Sequence, residues 1–342
     1  MKNKFFIRML GLAGIFCVLA TGLEAQTAAS TPAKKPYNIL FIICDQEQYK
    51  LLSAPGYELP ARKRLAEKGI VFRSHYIAAA MCSPSRAAFL TGQTPQRNGV
   101  FDQMEYPYVP TLNPAIPNMG SILKNLGYTT AYFGKFEMDK GILTTKDTVN
   151  YSTALATYGF DMFSANGDIG SSPDSGYKND PFTAGQAVRW LRQGGLNASK
   201  GGKPFFMVAS FLNPHDIMYA NANMPGEEIQ KGIAFHELTT PPKNSLYQKN
   251  WDFTLPVSLT ESLDAPGMPT ALAEYRKGWS GALGIIPNDR PDMWRNFNNY
   301  YLNMIRDSDT SLQEIIDVLD EADLWKNTII VFTADHGEMG GS

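Results

Sequence analysis

The sequence predicts an α/β fold in which helices cover both faces of a mostly parallel sheet. Three nearly continuous apolar segments, at 37–43, 204–211 and 327–333, are typical of strands buried on both faces. Segments with helical periodicity lie between them, and such an alternation of strands and helices favours a parallel sheet. The 342 residues are 44% hydrophobic and 19% charged, as expected for a globular enzyme.

The chain is predicted to begin with a signal peptide over residues 1–25, leaving 26–342 as the folded domain. Basic residues precede an apolar run, Met9–Leu23, and small residues follow it around Ala25. The run is shorter than the about 20 residues that a membrane-spanning helix needs. We therefore expect export to a periplasm or to the exterior, with no stable membrane anchor.

The remaining elements follow in alternating order. Gly69 ends the first helix, as glycine commonly does, and a strand candidate follows it directly. Two loop-rich insertions, at 141–180 and 221–291, are dense in Pro, Gly, Asn and Ser, and we expect them to shape a substrate pocket. The predicted helices are Leu59–Lys68, Asn118–Gly127, Lys178–Arg192 and Asp292–Ala322, the last being one or two helices; the further strands are Ile70–Ile77 and Tyr128–Phe133.

Polar side chains end two of the buried strands. Asp45 follows the first strand, and Asp335 and His336 follow the last. Carboxylates at the ends of apolar strands are costly unless they bind a metal or accept hydrogen bonds. The alternative is that Asp45 caps a turn and His336 is an ordinary packed histidine. Alternation along the strand puts Cys44 on the side opposite Asp45, where we expect it to pack under a helix.

The segment Cys82-Ser83-Pro84-Ser85-Arg86, followed by Leu90-Thr91-Gly92, resembles the activation signature of type I sulfatases. The family pattern is Cys, any residue, Pro, Ser, Arg, three residues, Leu, Thr, Gly, and every fixed position is met. The alternative is a buried cysteine before a Ser-Pro helix start.

The resemblance implies an alkaline phosphatase-like α/β/α sandwich. It also implies that a sulfatase-maturing enzyme oxidises Cys82 to formylglycine, whose hydrated aldehyde attacks sulfate esters. Oxidation would leave Cys82 without a thiol, so we expect no disulfide between Cys82 and Cys44 even in an oxidising compartment.

The same resemblance implies a metal site. Asp335-His336-Gly337-Glu338 is similar to one metal-binding segment of the family, and the end of the first strand is similar to the other. The implied ligands of a calcium ion are Asp45, Gln46, Cys82, Asp335 and His336. Sulfatases commonly carry a second Asp where Gln46 stands; its side-chain carbonyl is still a calcium ligand but lacks a charge.

The resemblance also implies catalytic or substrate-binding roles for further residues. Arg86 would hold the formylglycine hydroxyls through its rigid donor fork. Lys135 matches the lysine that binds a sulfate oxygen, and His215 matches the histidine that contacts sulfate and protonates the leaving alcohol. The family usually has a histidine base two residues after the lysine, where this chain has Glu137. Glu137 is either a replacement base or the mark of a different or impaired enzyme.

These features predict a sulfuric ester hydrolase for a sulfated carbohydrate or small molecule. The alternatives are a phosphodiester or phosphonate monoester hydrolase of the same superfamily, or an inactive glycan-binding fragment. The chain looks C-terminally truncated, because sulfatases continue past the segment before Ser342 with a second sulfate-binding lysine and a C-terminal subdomain. With 31 Lys and Arg against 33 Asp and Glu, and no basic run, we expect no nucleic-acid partner.

Overall fold

A computed structural model of the chain describes residues 35–49, 54–144, 148–163, 170–231 and 237–341. The predicted signal peptide lies outside these residues. In the described part of the chain, no helix combines the length and the apolar character needed to cross a membrane.

Five strands form one parallel sheet in the order β3-β2-β4-β1-β5. Their ranges are β1 Asn38–Cys44, β2 Thr129–Gly134, β3 Met162–Phe163, β4 Phe205–Phe211 and β5 Thr328–Ala334. Every residue of the central strand β4 is buried, which explains its nearly continuous apolar sequence, interrupted by Ser210 alone. The predicted α/β fold is confirmed, and the sheet is parallel throughout.

Helices cover both faces of the sheet. One apolar core joins the sheet to residues of α1 (Pro60–Lys68), α7 (Ser175–Trp190) and α10 (Pro291–Glu321), and a second core joins the opposite face to residues of α2 (Cys82–Thr91) and α6 (Thr148–Thr157). The predicted helices are confirmed to within a few residues, and the last is a single helix. The helices are α1 Pro60–Lys68, α2 Cys82–Thr91, α3 Pro95–Asn98, α4 Met119–Asn125, α5 Lys140–Thr144, α6 Thr148–Thr157, α7 Ser175–Trp190, α8 Leu196–Lys200, α9 Thr270–Leu283 and α10 Pro291–Glu321.

Two sequence predictions were wrong. The segment Ile70–Ile77 is not a strand: its large apolar residues are exposed, and β1 is already paired by β4 on one side and β5 on the other. The insertions at 141–180 and 221–291 are also more regular than predicted. The first contains α6 and β3, and the second contains α9.

The carboxyl ends of the central strands are tied together by backbone hydrogen bonds. The Asp45 amide donates to the Phe211 carbonyl at 3.2 Å, and the Asp335 amide donates to the Cys44 carbonyl at 3.3 Å. The Lys135 amide donates to the Ser210 carbonyl at 3.1 Å. Three of the residues singled out from the sequence therefore lie at one edge of the sheet, where ligands of parallel sheets bind.

Candidate active site

Four of the predicted metal ligands form a buried cluster. Asp45, Cys82, Asp335 and His336 each offer one ligand atom, and these atoms lie within 4.8 Å of one another. The Cys82 sulfur is 3.2 Å from His336 Nε2 and 3.5 Å from Asp45 Oδ1. The strand ends supply the two carboxylates and the imidazole, and α2 supplies the sulfur.

The signature folds as a capped helix that begins at Cys82. Gly92, at φ +66°, is the left-handed C-cap, and its amide donates to the Ala88 carbonyl at 2.8 Å. Leu90 packs in the core. The Ser85 hydroxyl donates to the Asp335 carbonyl at 2.5 Å and thereby fixes α2 against the end of β5.

Arg86 forms ion pairs with both buried carboxylates. Its guanidinium Nη2 lies 3.1 Å from Asp45 Oδ2 and 2.8 Å from Asp335 Oδ2. Nη1 donates to the Lys135 carbonyl at 2.8 Å and to the Ser210 hydroxyl at 2.7 Å. The planar fork of arginine suits such simultaneous contacts. In this structure Arg86 braces the strand ends, and its contact with the formylglycine hydroxyls stays a prediction.

Lys135 is buried beside the cluster, with Nζ 2.8 Å from Asp45 Oδ2 and 3.1 Å from Glu137 Oε2. Burial by itself lowers the pKa of a lysine, but the neighbouring Asp45 and Glu137 hold the pKa of Lys135 above its ordinary value. Burial would raise the pKa of Asp45, yet Lys135 and the other nearby cationic groups hold it below its usual range. Both side chains are therefore charged at neutral pH.

A tight turn after β2 places Lys135. Gly134 has φ +93°, and a Cβ there would lie 1.9 Å from the Ser210 carbonyl oxygen. Only glycine allows β2 to approach β4 this closely in that conformation.

A serine that the sequence analysis did not single out lies between the side chains of His215 and Lys135. The Ser171 hydroxyl lies 3.3 Å from His215 Nε2 and 3.5 Å from Lys135 Nζ. Ser171 belongs to no motif, and its only sequence signal is a position in an insertion expected to shape the pocket. The His215 loop is held by Asp180 of α7, whose carboxylate accepts hydrogen bonds from the amides of Leu212 and Asn213 at 2.7 and 2.8 Å.

Glu137 is only 2% exposed and lies in the left-handed backbone region at φ +54°. Burial raises the pKa of its carboxyl to about 7; Lys135 opposes this shift, and the carboxylates of Glu105 and Asp45 add to it. Such a carboxyl can exchange a proton near neutral pH.

Gln46 adjoins the cluster in a constrained conformation at φ +64°. Its amide donates to Asp335 Oδ1 at 3.1 Å, and its side-chain nitrogen donates to Glu338. The hydroxyl of Tyr301, a buried residue of α10, donates to the Gln46 carbonyl at 2.5 Å and accepts from the Gln48 amide at 2.7 Å. The loop after β1 is thus held on both sides of Glu47.

The cluster fits a divalent cation. Two carboxylate oxygens, an imidazole nitrogen and the Cys82 sulfur converge there within 4.8 Å of one another, and all four residues are buried. The charges of Asp45 and Asp335 are balanced by Arg86 and Lys135, so a divalent cation would make the centre positive. A positive, buried centre favours binding of an anion.

The parallel sheet carries buried carboxylate and imidazole groups at its strand ends and has the Cys82 thiol beside them at the start of α2, as expected for the alkaline phosphatase-like class of α/β proteins. The chain belongs to the sulfatase family, whose profile, described as Sulfatase, matches residues 37–342. It is similar to the arylsulfatase of Volvox carteri, with 22% identity over 95% of this chain and 50% of the relative. It is also similar to mouse iduronate 2-sulfatase, with 28% identity over 95% of this chain and 58% of the relative.

Solved structures agree on the fold. A 2-O GAG sulfatase superposes with a TM-score of 0.62 at 22% identity, covering 90% of this chain and 59% of the other. The phosphonate monoester hydrolase of Agrobacterium radiobacter superposes with a TM-score of 0.57 at 21% identity, covering 90% of this chain and 64% of the other. The chain spans about half the length of the curated arylsulfatases it matches.

Proposed function

We propose that the chain carries the catalytic centre of a hydrolase that cleaves the sulfate ester of a carbohydrate or other small molecule. The observation that carries this proposal is the position of Cys82, at the start of α2, among Asp45, Asp335 and His336 and beside the cations Arg86 and Lys135. The proposal includes export to a periplasm or the exterior, on the strength of the predicted signal peptide.

Asp45, Asp335 and His336 would hold a divalent metal, with Gln46 and the group at Cys82 beside it. We assign calcium because two carboxylates and an amide oxygen are ligands it prefers. The bound cation would supply charge neutralisation for the sulfate oxygens, and formylglycine at Cys82 would supply the nucleophile.

The chain's own side chains then bind, orient and move protons. Lys135 and the Ser171 hydroxyl bind a sulfate oxygen, since they converge from two sides with His215. His215 Nε2 protonates the departing alcohol. Arg86 keeps the carboxylates of Asp45 and Asp335 in place, and Glu137 accepts the proton whose removal releases sulfate.

A phosphonate or phosphate diester hydrolase is the second candidate. Gln46 stands where sulfatases commonly carry a second carboxylate, and this departure from the sulfatase pattern favours the second candidate. Comparing the sulfate ester and the phenylphosphonate ester of one phenol on the matured protein separates the two: faster cleavage of the phosphonate would overturn the sulfatase proposal.

The first prediction tests the nucleophile. Co-expression with a sulfatase-maturing enzyme is expected to convert Cys82 to formylglycine, which peptide mass spectrometry detects as loss of the thiol sulfur. Cys44, equally buried under α1, is the internal control and should stay a thiol. Unmodified Cys82 beside a fully matured control sulfatase would contradict the proposal, and so would complete maturation without binding or cleavage of any sulfate or phosphonate ester.

A further inference from the structure

Three aromatic side chains form an exposed, ordered stack in the segment after α3. Phe101, Tyr106 and Tyr108 are 56%, 38% and 61% exposed. The rings of Tyr106 and Tyr108 are 5.4 Å apart and 7° from parallel, and those of Phe101 and Tyr108 are 6.2 Å apart at 20°. Exposed apolar surface in a fixed arrangement is typical of binding sites.

Hydrogen bonds fix this stack in place. The Tyr108 hydroxyl donates to Asp102 Oδ2 at 3.0 Å. Lys140 Nζ donates to the carbonyls of Tyr106 and Pro107 at 2.8 and 3.2 Å. The rings are therefore preorganised, which lowers the entropic cost of binding a ligand on them.

The segment is joined directly to the signature. The Ser83 amide, next to Cys82, donates to Gln103 Oε1 at 3.0 Å, and the Met104 amide donates to the Ser83 hydroxyl at 3.0 Å. Glu105 is close enough to the buried Glu137 for its charge to act on that carboxyl. The segment that carries the stack is thus anchored to the start of α2, beside the proposed sulfate centre.

The chemistry of the segment restricts the ring that it would bind. Flat aromatic faces pack against the apolar C–H face of a pyranose, and the carboxylates of Asp102 and Glu105 are acceptors for sugar hydroxyls. The segment 101–109 contains no Lys or Arg, and with Asp102 and Glu105 against the single ammonium of Lys140 that reaches it, its surroundings stay net negative. A ring with its own carboxylate or a second sulfate would meet like charge there, which disfavours it.

We propose that Phe101, Tyr106 and Tyr108 form the binding surface for the sugar ring of the substrate, and that this ring is a pyranose without a second anionic group. This inference rests on the proposed function, because the stack lies beside the proposed sulfate centre. It assigns the alcohol part of the substrate, which the metal and sulfate residues do not determine.

The test is binding, measured by calorimetry on the full chain with four probes: inorganic sulfate, methyl galactoside monosulfates with the sulfate at each hydroxyl, the corresponding galacturonate monosulfates, and 4-nitrophenyl sulfate. Tyr108→Ala and Phe101→Ala are each expected to weaken the best neutral sugar about two- to tenfold and to leave inorganic sulfate unchanged. Glu105→Gln should lower the ratio of the affinity for the neutral sugar to the affinity for the uronate about two- to fivefold.

Tyr37→Ala is the matched control, since this half-exposed tyrosine precedes β1 at the end opposite Asp45. It should change no affinity. Unchanged sugar binding in both stack variants would overturn the inference while leaving the sulfate centre intact. If the stack variants lose more affinity for 4-nitrophenyl sulfate than for the sugars, the stack binds an aryl group and the pyranose assignment is wrong. A wild-type chain that binds none of the probes would overturn the proposed function itself.

Discussion

Glu137 departs from the family pattern, and its surroundings give that departure a function. The carboxyl lies 3.1 Å from Lys135 and has a pKa of about 7, mainly because it is buried. A base with this pKa is half ionised near neutral pH, where proton transfer is most effective. A glutamate on the surface would be fully ionised there and a weaker base.

We predict that kcat of the matured protein falls tenfold per pH unit below about pH 7, because Glu137 must be ionised to accept the proton whose removal releases sulfate after the alcohol has left. Glu137→Gln should lower the rate by about 10²–10⁴ and remove this limb of the profile. Glu137→His, which restores the usual family residue, should recover most of the rate. A Gln variant with an unchanged pH profile would exclude Glu137 as the base.

The ionisation of Glu137 that activity requires lowers the stability of the folded protein. The folded pKa of this carboxyl lies above the unfolded value of about 4.5, so its favourable contribution is complete below that value and is lost as the pH rises to about 7. The Gln variant should therefore gain stability relative to wild type between pH 5 and pH 8, by about 3 kcal/mol at most. Thermal unfolding at the two pH values measures the gain independently of activity.

The metal ligands give the next prediction. Asp45→Ala, Asp335→Ala and His336→Ala should each abolish calcium binding, measured by calorimetry on purified protein. Removing a buried carboxylate also takes one ion-pair partner from Arg86, and in Asp45→Ala from Lys135 as well, at a cost of up to about 3–5 kcal/mol, so folding is checked by circular dichroism. His336→Asn supplies an amide oxygen and should retain calcium. Undiminished calcium content in all three alanine variants would contradict the assignment.

At the level of elements, contacts with helix α10 hold the loop after β1 in place. Tyr301 bonds Gln46 and Gln48, while Arg62 of α1 bonds Glu47 at 2.5 Å and Asp309 of α10 at 2.8 Å. These contacts hold the loop that carries Asp45 although none touches the cluster itself. Groups behind metal ligands often control metal affinity through such contacts.

We predict that Tyr301→Phe weakens calcium binding about 10- to 100-fold, because the Gln46 carbonyl and the Gln48 amide lose their shared partner. Tyr57→Phe is the matched control: its hydroxyl donates to the Leu302 carbonyl of the same helix at 2.7 Å and does not contact the loop. Both variants should lose a few degrees of thermal stability, but only Tyr301→Phe should change the calcium affinity. Equal affinities would show that α10 only stabilises the fold.

The elements that the sequence predicted well are those whose pattern is local. The buried strands and α10 have runs long enough to define them, and the polar residues after β1 and β5 come together because parallel strands end at one edge. The segment Ile70–Ile77 has a strand-like composition, but it pairs with no strand of the described sheet and its large apolar residues are exposed. Ser171 and Tyr301 reach the site through contacts distant in sequence, which no local pattern encodes.

For the molecule as a whole, the sheet is asymmetric at its two edges. β3 has only two residues, whereas β5 has seven and pairs, within the described residues, with β1 alone. Its sequence, Thr328–Ala334, contains no charge, proline or glycine. Ile329 and Val331 are 49% and 37% exposed, while Ile330 and Phe332 pack against the core on the other face. A long, flat, apolar edge strand is a template for pairing with another chain.

We therefore predict that the protein self-associates through β5 as its concentration rises, and that Ile329→Lys and Val331→Lys together shift it to monomer, since lysine on an edge strand opposes pairing. Size-exclusion chromatography with light scattering measures the change. Phe332→Lys is the matched control: this ring faces the core, with the Arg62 guanidinium 4.9 Å from its centre, so the substitution should unfold the protein. A wild-type chain that stays monomeric at all concentrations, or a double variant that associates equally, would show that another element covers or replaces this edge.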